Sequence, residues 1–115
     1  MSAATAFKII AADEWAAARV AGAYDGSAVD RADGYIHLST TEQLAETARR
    51  HYAGRNDLRL LEVELALLGE TVVWEAARGG ALFPHIYGSL PTTAVVSEQV
   101  MTVSSAGEMT LGAEG

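Results

Sequence analysis

A chain of 115 residues, half of them hydrophobic, can fill one core and one domain but not two. Its formal net charge of −7 excludes the broad basic surface that non-specific nucleic-acid binding requires, while leaving room for a local cationic pocket. Cysteine is absent, which excludes disulfides and thiolate chemistry.

From the N-terminus, Met1–Lys8 lack the charged start and apolar run of a signal peptide, and no later stretch approaches the ~20 apolar residues of a membrane span. A soluble, cytoplasmic protein with no membrane contact is expected. Phe7–Ile10 predict a first strand. Asp13 is placed to cap the helix that follows, in which Trp15 and Ala18 share a face and Gly22 marks the stop. Tyr24–Gly34 is rich in Asp, Gly and Ser and predicts a loop.

A strand over Tyr35–Ser39 comes next, then a helix opened by overlapping capping boxes, Ser39 with Glu42 or Thr40 with Gln43. Leu44, Ala45, Ala48 and Tyr52 form its buried stripe, and Arg49, Arg50 and His51 suit its C-terminal dipole before Gly54. Leu61, Val63 and Leu65 alternate with Glu62 and Glu64 as a half-buried strand. Further strands are predicted over Thr71–Glu75, Pro84–Tyr87 and Thr93–Met101. Residues 1–103 thus make one α+β domain, with two helices on a mixed or antiparallel sheet, and 104–115 a frayed, flexible tail.

Two stretches carry the chemistry. Asp33-Gly34-Tyr35-Ile36-His37-Leu38-Ser39-Thr40 sets Tyr35, His37 and Ser39 on one strand face and Ile36 and Leu38 on the other. Arg78-Gly79-Gly80-Ala81-Leu82-Phe83-Pro84-His85-Ile86-Tyr87-Gly88 joins a guanidinium and a flexible glycine pair to a second His/Tyr face. Each motif has a plain structural reading: a solvated histidine, a helix cap at Ser39 and Thr40, an aromatic strand end, an arginine paired with Glu75 or Glu62. The functional reading is that the two strands adjoin and their faces converge on one pocket. In it His37 and His85 exchange protons or bind hydroxyls, Tyr35 and Tyr87 stack, and Ser39, Thr40, Arg78, Gly79 and Gly80 hold a phosphate. Trp15 and Trp74 are expected as core anchors, Glu75 as an exposed carboxylate or a general base. Three separated histidines without cysteine do not make a metal site.

Together these two motifs look like those of a small bacterial family known only as domain of unknown function family 952, and the resemblance runs from Phe7 to about Met101. That family is grouped structurally with the ADP-ribosyltransferase fold. The resemblance therefore implies an ADP-ribosyltransferase-like α+β domain, with two helices packed on a small, strongly bent sheet around a nicotinamide-dinucleotide cleft. NAD is the cofactor it suggests. Gly34–Ser39 and its helix resemble the second cleft strand and helix, and Pro84–Tyr87 the late strand that bears a catalytic glutamate. This chain departs from the pattern, with Lys8 in place of a cleft histidine or arginine and His85 in place of the glutamate. A neutral histidine cannot supply the charge that steadies an oxocarbenium-like transition state. The expected function is thus a pocket for a small, phosphate-bearing, nucleotide-like ligand such as NAD, ADP-ribose or a phosphorylated metabolite. An enzyme of ADP-ribosyl or 2′-phosphate transfer and a protein-interaction module are the alternatives.

Overall fold

A computed structural model describes residues 5–112. Strand β1 (Thr5–Ala11) leads into α1 (Ala12–Ala21), β2 (Ala23–Tyr24), α2 (Ala28–Asp33), β3 (Ile36–His37) and α3 (Thr41–Tyr52). Strands β4 (Leu58–Glu64), β5 (Val72–Ala76), β6 (Leu82–Ile86), β7 (Leu90–Pro91), β8 (Val95–Val103) and β9 (Met109–Leu111) complete the chain. The fold is α+β, and every strand pairing among the described residues is antiparallel. None of the described helices is long and apolar enough to cross a membrane.

The strands form three separate sheets instead of one bent sheet. They are ordered β1-β4-β8-β9, β3-β6-β5 and β2-β7. Large and middle sheets are stitched together where the Phe7 and Ser39 backbones exchange hydrogen bonds of 2.7 and 2.8 Å. Strand β4 is buried on both faces, not one. Leu61 and Val63 join Ile10, Trp15, Ala18, Ile36, Ile86 and Leu90 in one core cluster, while Leu58 and Leu60 pack with Ile9, Met101, Leu44 and Ala48 of α3 in the other. The alternation with Glu62 and Glu64 holds only at the C-terminal end of the strand, beside a bulge.

Among the described residues three α-helices are present where two were expected. The extra one, α2, lies inside the predicted loop Tyr24–Gly34. Ser27 accepts from the Asp30 amide at 3.1 Å, and the Asp30 carboxylate accepts from the Ser27 amide at 2.9 Å. This reciprocal cap suffices for six residues that end on left-handed Gly34. Ser, Asp and Gly serve caps as well as turns, and six residues are too few to show a helical period.

Helix α1 is not capped by Asp13. Ala11 occupies the cap position without a side-chain bond, and Asp13 sits in the first turn. Gly22 closes α1 in the left-handed conformation, as its position suggested. The segment expected to fray from Ser104 instead returns as β9, whose residues 109–111 pair with 101–103 of β8. Trp15 is buried, but Trp74 lies 40 % exposed on β5, at the edge of its sheet, and anchors no core.

Candidate functional site

The middle sheet brings the two motifs together. In the β3–β6 register His37 pairs with His85 and Ile36 with Ile86. Cross-strand partners share a face, so both histidines lie on one side and both isoleucines go into the core. The His37 and His85 ring centroids are 5.5 Å apart. Tyr35 stacks on His85 at 4.0 Å with 19° between the planes, and it also meets His37 at 4.8 Å and Tyr87 at 5.3 Å.

Glu75 of β5 completes this face. The Nδ1 of His85 lies 2.6 Å from Glu75 Oε1, and the Tyr87 hydroxyl donates to both Glu75 oxygens at 2.9 and 3.0 Å. The hydrogen bond with His85 and then that from Tyr87 hold the Glu75 carboxyl below its usual range, and the same contact pushes the Tyr87 phenol up. An ionised carboxylate only accepts, so the proton of this pair sits on His85 Nδ1. The Nε2 is then the nitrogen that remains for a ligand.

On the other side of His37 lies a buried carboxylate. Asp30 is 2 % exposed. Its Oδ2 accepts from the Lys8 ammonium at 2.9 Å and from the Ser27 amide at 2.9 Å, while its Oδ1 accepts from the His37 amide at 3.2 Å and faces His37 Nδ1 at 2.5 Å. Burial alone would raise the Asp30 carboxyl. The His37 hydrogen bond, the Lys8 charge and the Ser27 amide outweigh it and hold the group well below the usual carboxylate range. Burial pushes the Lys8 ammonium down, against the pull of Asp30. The second His37 nitrogen, Nε2, lies 2.9 Å from Asp33. Gly26 allows the close approach of the chain to Asp30: with φ of 108°, a Cβ there would stand 2.9 Å from the Asp30 Cβ.

Lys8, Asp30, His37, Ser39 and His85 all line one cavity of about 490 Å³, with Phe7, Tyr24, Tyr52 and Phe83 as its aromatic walls and His51 and Arg55 among its basic residues. That volume lies in the range of small-molecule sites. A buried ion pair, His37 between Asp30 and Asp33, His85 against Glu75 and a set of aromatic side chains therefore gather in one region of the molecule.

The predicted residues divide into two groups. Tyr35, His37, His85 and Tyr87 meet across β3 and β6, but only the two histidines line the cavity; Tyr35 and the exposed Tyr87 lie outside it and do not stack within the pocket as expected. Ser39 reaches the cavity wall, where its hydroxyl lies 2.9 Å from that of Thr47. Thr40 caps α3, accepting from the Gln43 amide at 3.3 Å, and is not on the cavity wall. Gly79 and Gly80 adopt the positive φ their type permits, 64° and 83°, but the Gly80 amide donates to the Ala77 carbonyl at 2.9 Å and closes a turn. Ala77, not the glycine pair, touches the cavity. The Arg78 side chain lies outside the described residues. The site also recruits Lys8, Asp30, Asp33 and Glu75, none of which the two motifs singled out as its centre. The Ser27–Asp30 spacing is a local signal that could have marked Asp30, although the segment reads as a loop, and nothing local marked its bond to a lysine 22 positions earlier.

A family model described as "Protein of unknown function (DUF952)" matches residues 9–98. Among solved structures, the crystal structure of protein CC0527 from Caulobacter crescentus is similar at 45 % identity and a TM-score of 0.88, over 92 % of this chain and 93 % of that one. The solution NMR structure of CC0527 is similar at 45 % identity and a TM-score of 0.80, over 92 % and 91 %. No curated protein matches.

Proposed function

Since this chain belongs to the DUF952 family, whose description assigns no activity, we propose a function from the site itself: binding of a small, phosphate-bearing, nucleotide-like molecule in the 490 Å³ cavity. The observation that carries this reading is the register pairing of His37 with His85 at the wall of a cavity that also holds the Lys8–Asp30 pair. Aromatic walls suit a base or nicotinamide ring, and the cationic groups on the wall, Lys8 paired with Asp30 and Arg55 paired with Asp57, would have to share those carboxylates with a phosphate. If the domain shares the ADP-ribosyltransferase fold that its two motifs suggest, NAD or ADP-ribose is the ligand to expect, and a cytoplasmic setting would supply it.

The Glu75–His85 contact favours a second reading, an enzyme of ADP-ribosyl or 2′-phosphate transfer. Glu75 restores a carboxylate beside the position where His85 replaces the glutamate of the transferases. Orienting the imidazole through Nδ1 leaves Nε2 to take or give a proton at the substrate.

Thermal unfolding against NAD, ADP-ribose and phosphosugars tests the first reading. A ligand at ~100 times its dissociation constant adds about 2.7 kcal/mol, roughly 10 °C at this chain length. His85→Ala should reduce that shift, and no shift with any compound would reject the pocket. Mass spectrometry after incubation with NAD tests the second, by nicotinamide release or a covalent ADP-ribose. If nothing shifts and a protein is captured through Tyr87 instead, the face is an interaction surface.

A further inference from the structure

The chain contains one lysine, and its seven other cationic side chains are all arginine. That lysine is not on the surface, where lysine ordinarily lies. Lys8 is 4 % exposed, on the face of β1 that holds Ala6 and Ile10, and its side chain lines the cavity. Arginine would serve a purely structural pairing with Asp30 at least as well, since its guanidinium stays charged and forks across a carboxylate. What lysine alone offers is a primary amine that becomes a nucleophile once it gives up its proton.

We propose that Lys8 captures a carbonyl ligand covalently, as an imine with the open-chain aldehyde of a reducing sugar phosphate or of the terminal ribose of an ADP-ribose-type molecule. This rests on the reading of the cavity as a small-molecule site. Asp30 bridges the amine to His37, through Oδ2 at 2.9 Å from Lys8 Nζ and Oδ1 at 2.5 Å from His37 Nδ1. Asp30 Oδ2 is within reach to take the ammonium proton and return it to the carbonyl oxygen, while His37, held between Asp30 and Asp33, keeps the carboxylate in place. The Nζ lone pair then adds to the carbonyl carbon, and the carbonyl π pair moves to oxygen, which takes up a proton. Loss of that hydroxyl as water, with one further proton, leaves the C=N bond. The net change is amine plus aldehyde giving imine plus water. Asp30 carries the proton and His37 positions Asp30, and burial favours the uncharged amine needed to start.

Because only Lys8 and the chain's α-amine are primary amines, the test is direct. The protein is incubated with glycolaldehyde, or with ribose 5-phosphate, under sodium cyanoborohydride, and the adduct is mapped by peptide mass spectrometry. The expected result is labelling of Lys8 in the folded chain at least tenfold faster than in the urea-unfolded chain, with ribose 5-phosphate effective at lower concentration. Lys8→Arg should keep the fold by circular dichroism and lose the internal adduct. A bare Lys8 beside a labelled α-amine, or equal rates folded and unfolded, would overturn the proposal. The two readings fail separately. Stabilisation by nucleotides with Lys8 bare rejects the lysine chemistry and keeps the pocket. Labelled Lys8 with no nucleotide shift rejects the nucleotide ligand and keeps the lysine.

Discussion

His37 and His85 sit opposite each other on adjacent strands, yet their surroundings suit them to different work. His37 is held between two carboxylates, Asp30 at 2.5 Å and Asp33 at 2.9 Å, so both ring nitrogens are engaged. His85 is buried under the Tyr35 ring and engages one carboxylate, Glu75, through Nδ1. The first is part of a charged network that ties α2 to β1 and β3. The second is an oriented imidazole with a nitrogen to offer. A symmetrical pairing in the sheet therefore yields an asymmetrical pair of histidines, one enclosed by two carboxylates and the other held by one.

The network on the His37 side should break hardest. Asp30→Ala leaves the Lys8 ammonium buried without its partner and removes the α2 cap, and it should cost about 3–5 kcal/mol in urea unfolding. A loss under ~1 kcal/mol would show that the pair is not holding the fold. Acid should expose the same network. Asp30 and Glu75 titrate lower in the folded chain than unfolded, so the folded state binds fewer protons around pH 4. Their stabilisation is complete above the ordinary carboxylate range and is lost as pH falls through it toward the folded values. Asp30→Asn should flatten that part of a stability–pH profile, and an unchanged slope would contradict the assignment.

On the His85 side the expected loss is in binding, not folding. Glu75→Gln should leave the melting temperature within a few degrees while weakening ligand affinity about tenfold, as loss of an orienting carboxylate commonly does. Equal losses of stability and affinity would erase the distinction between the two histidines. Ser27→Ala removes one half of the α2 cap and should cost about 1 kcal/mol. The smallest effect belongs to Asp33→Asn. Its carboxylate is nearly half exposed, and a change below ~0.5 kcal/mol is expected. A larger value would mean that His37 depends on both carboxylates equally.

Local pattern was enough to find the face but not the network behind it. Alternation of polar rings with Ile36, Leu38 and Ile86 announced which side chains of β3 and β6 would share a face and which would enter the core. The Thr40–Gln43 box and left-handed Gly22 announced where α3 begins and α1 ends, because caps satisfy backbone groups a few residues away. Helix α2 escaped notice since its capping residues are those of a loop. Trp74 was misjudged because exposure depends on whether its strand lies at a sheet edge.

What the sequence determined by itself is whatever acts over one turn of helix or one strand repeat: the α+β class, the His/Tyr alternations, the helix ends and the acidic charge. Tertiary structure alone decided that β3 would lie against β6, that a lysine at position 8 would meet an aspartate at position 30, and that Glu75 would orient His85. The physical reason is distance along the chain. Side chains far apart in sequence exert no influence on each other until the core brings them within hydrogen-bond reach. There burial strengthens their attraction and makes an unpaired charge costly.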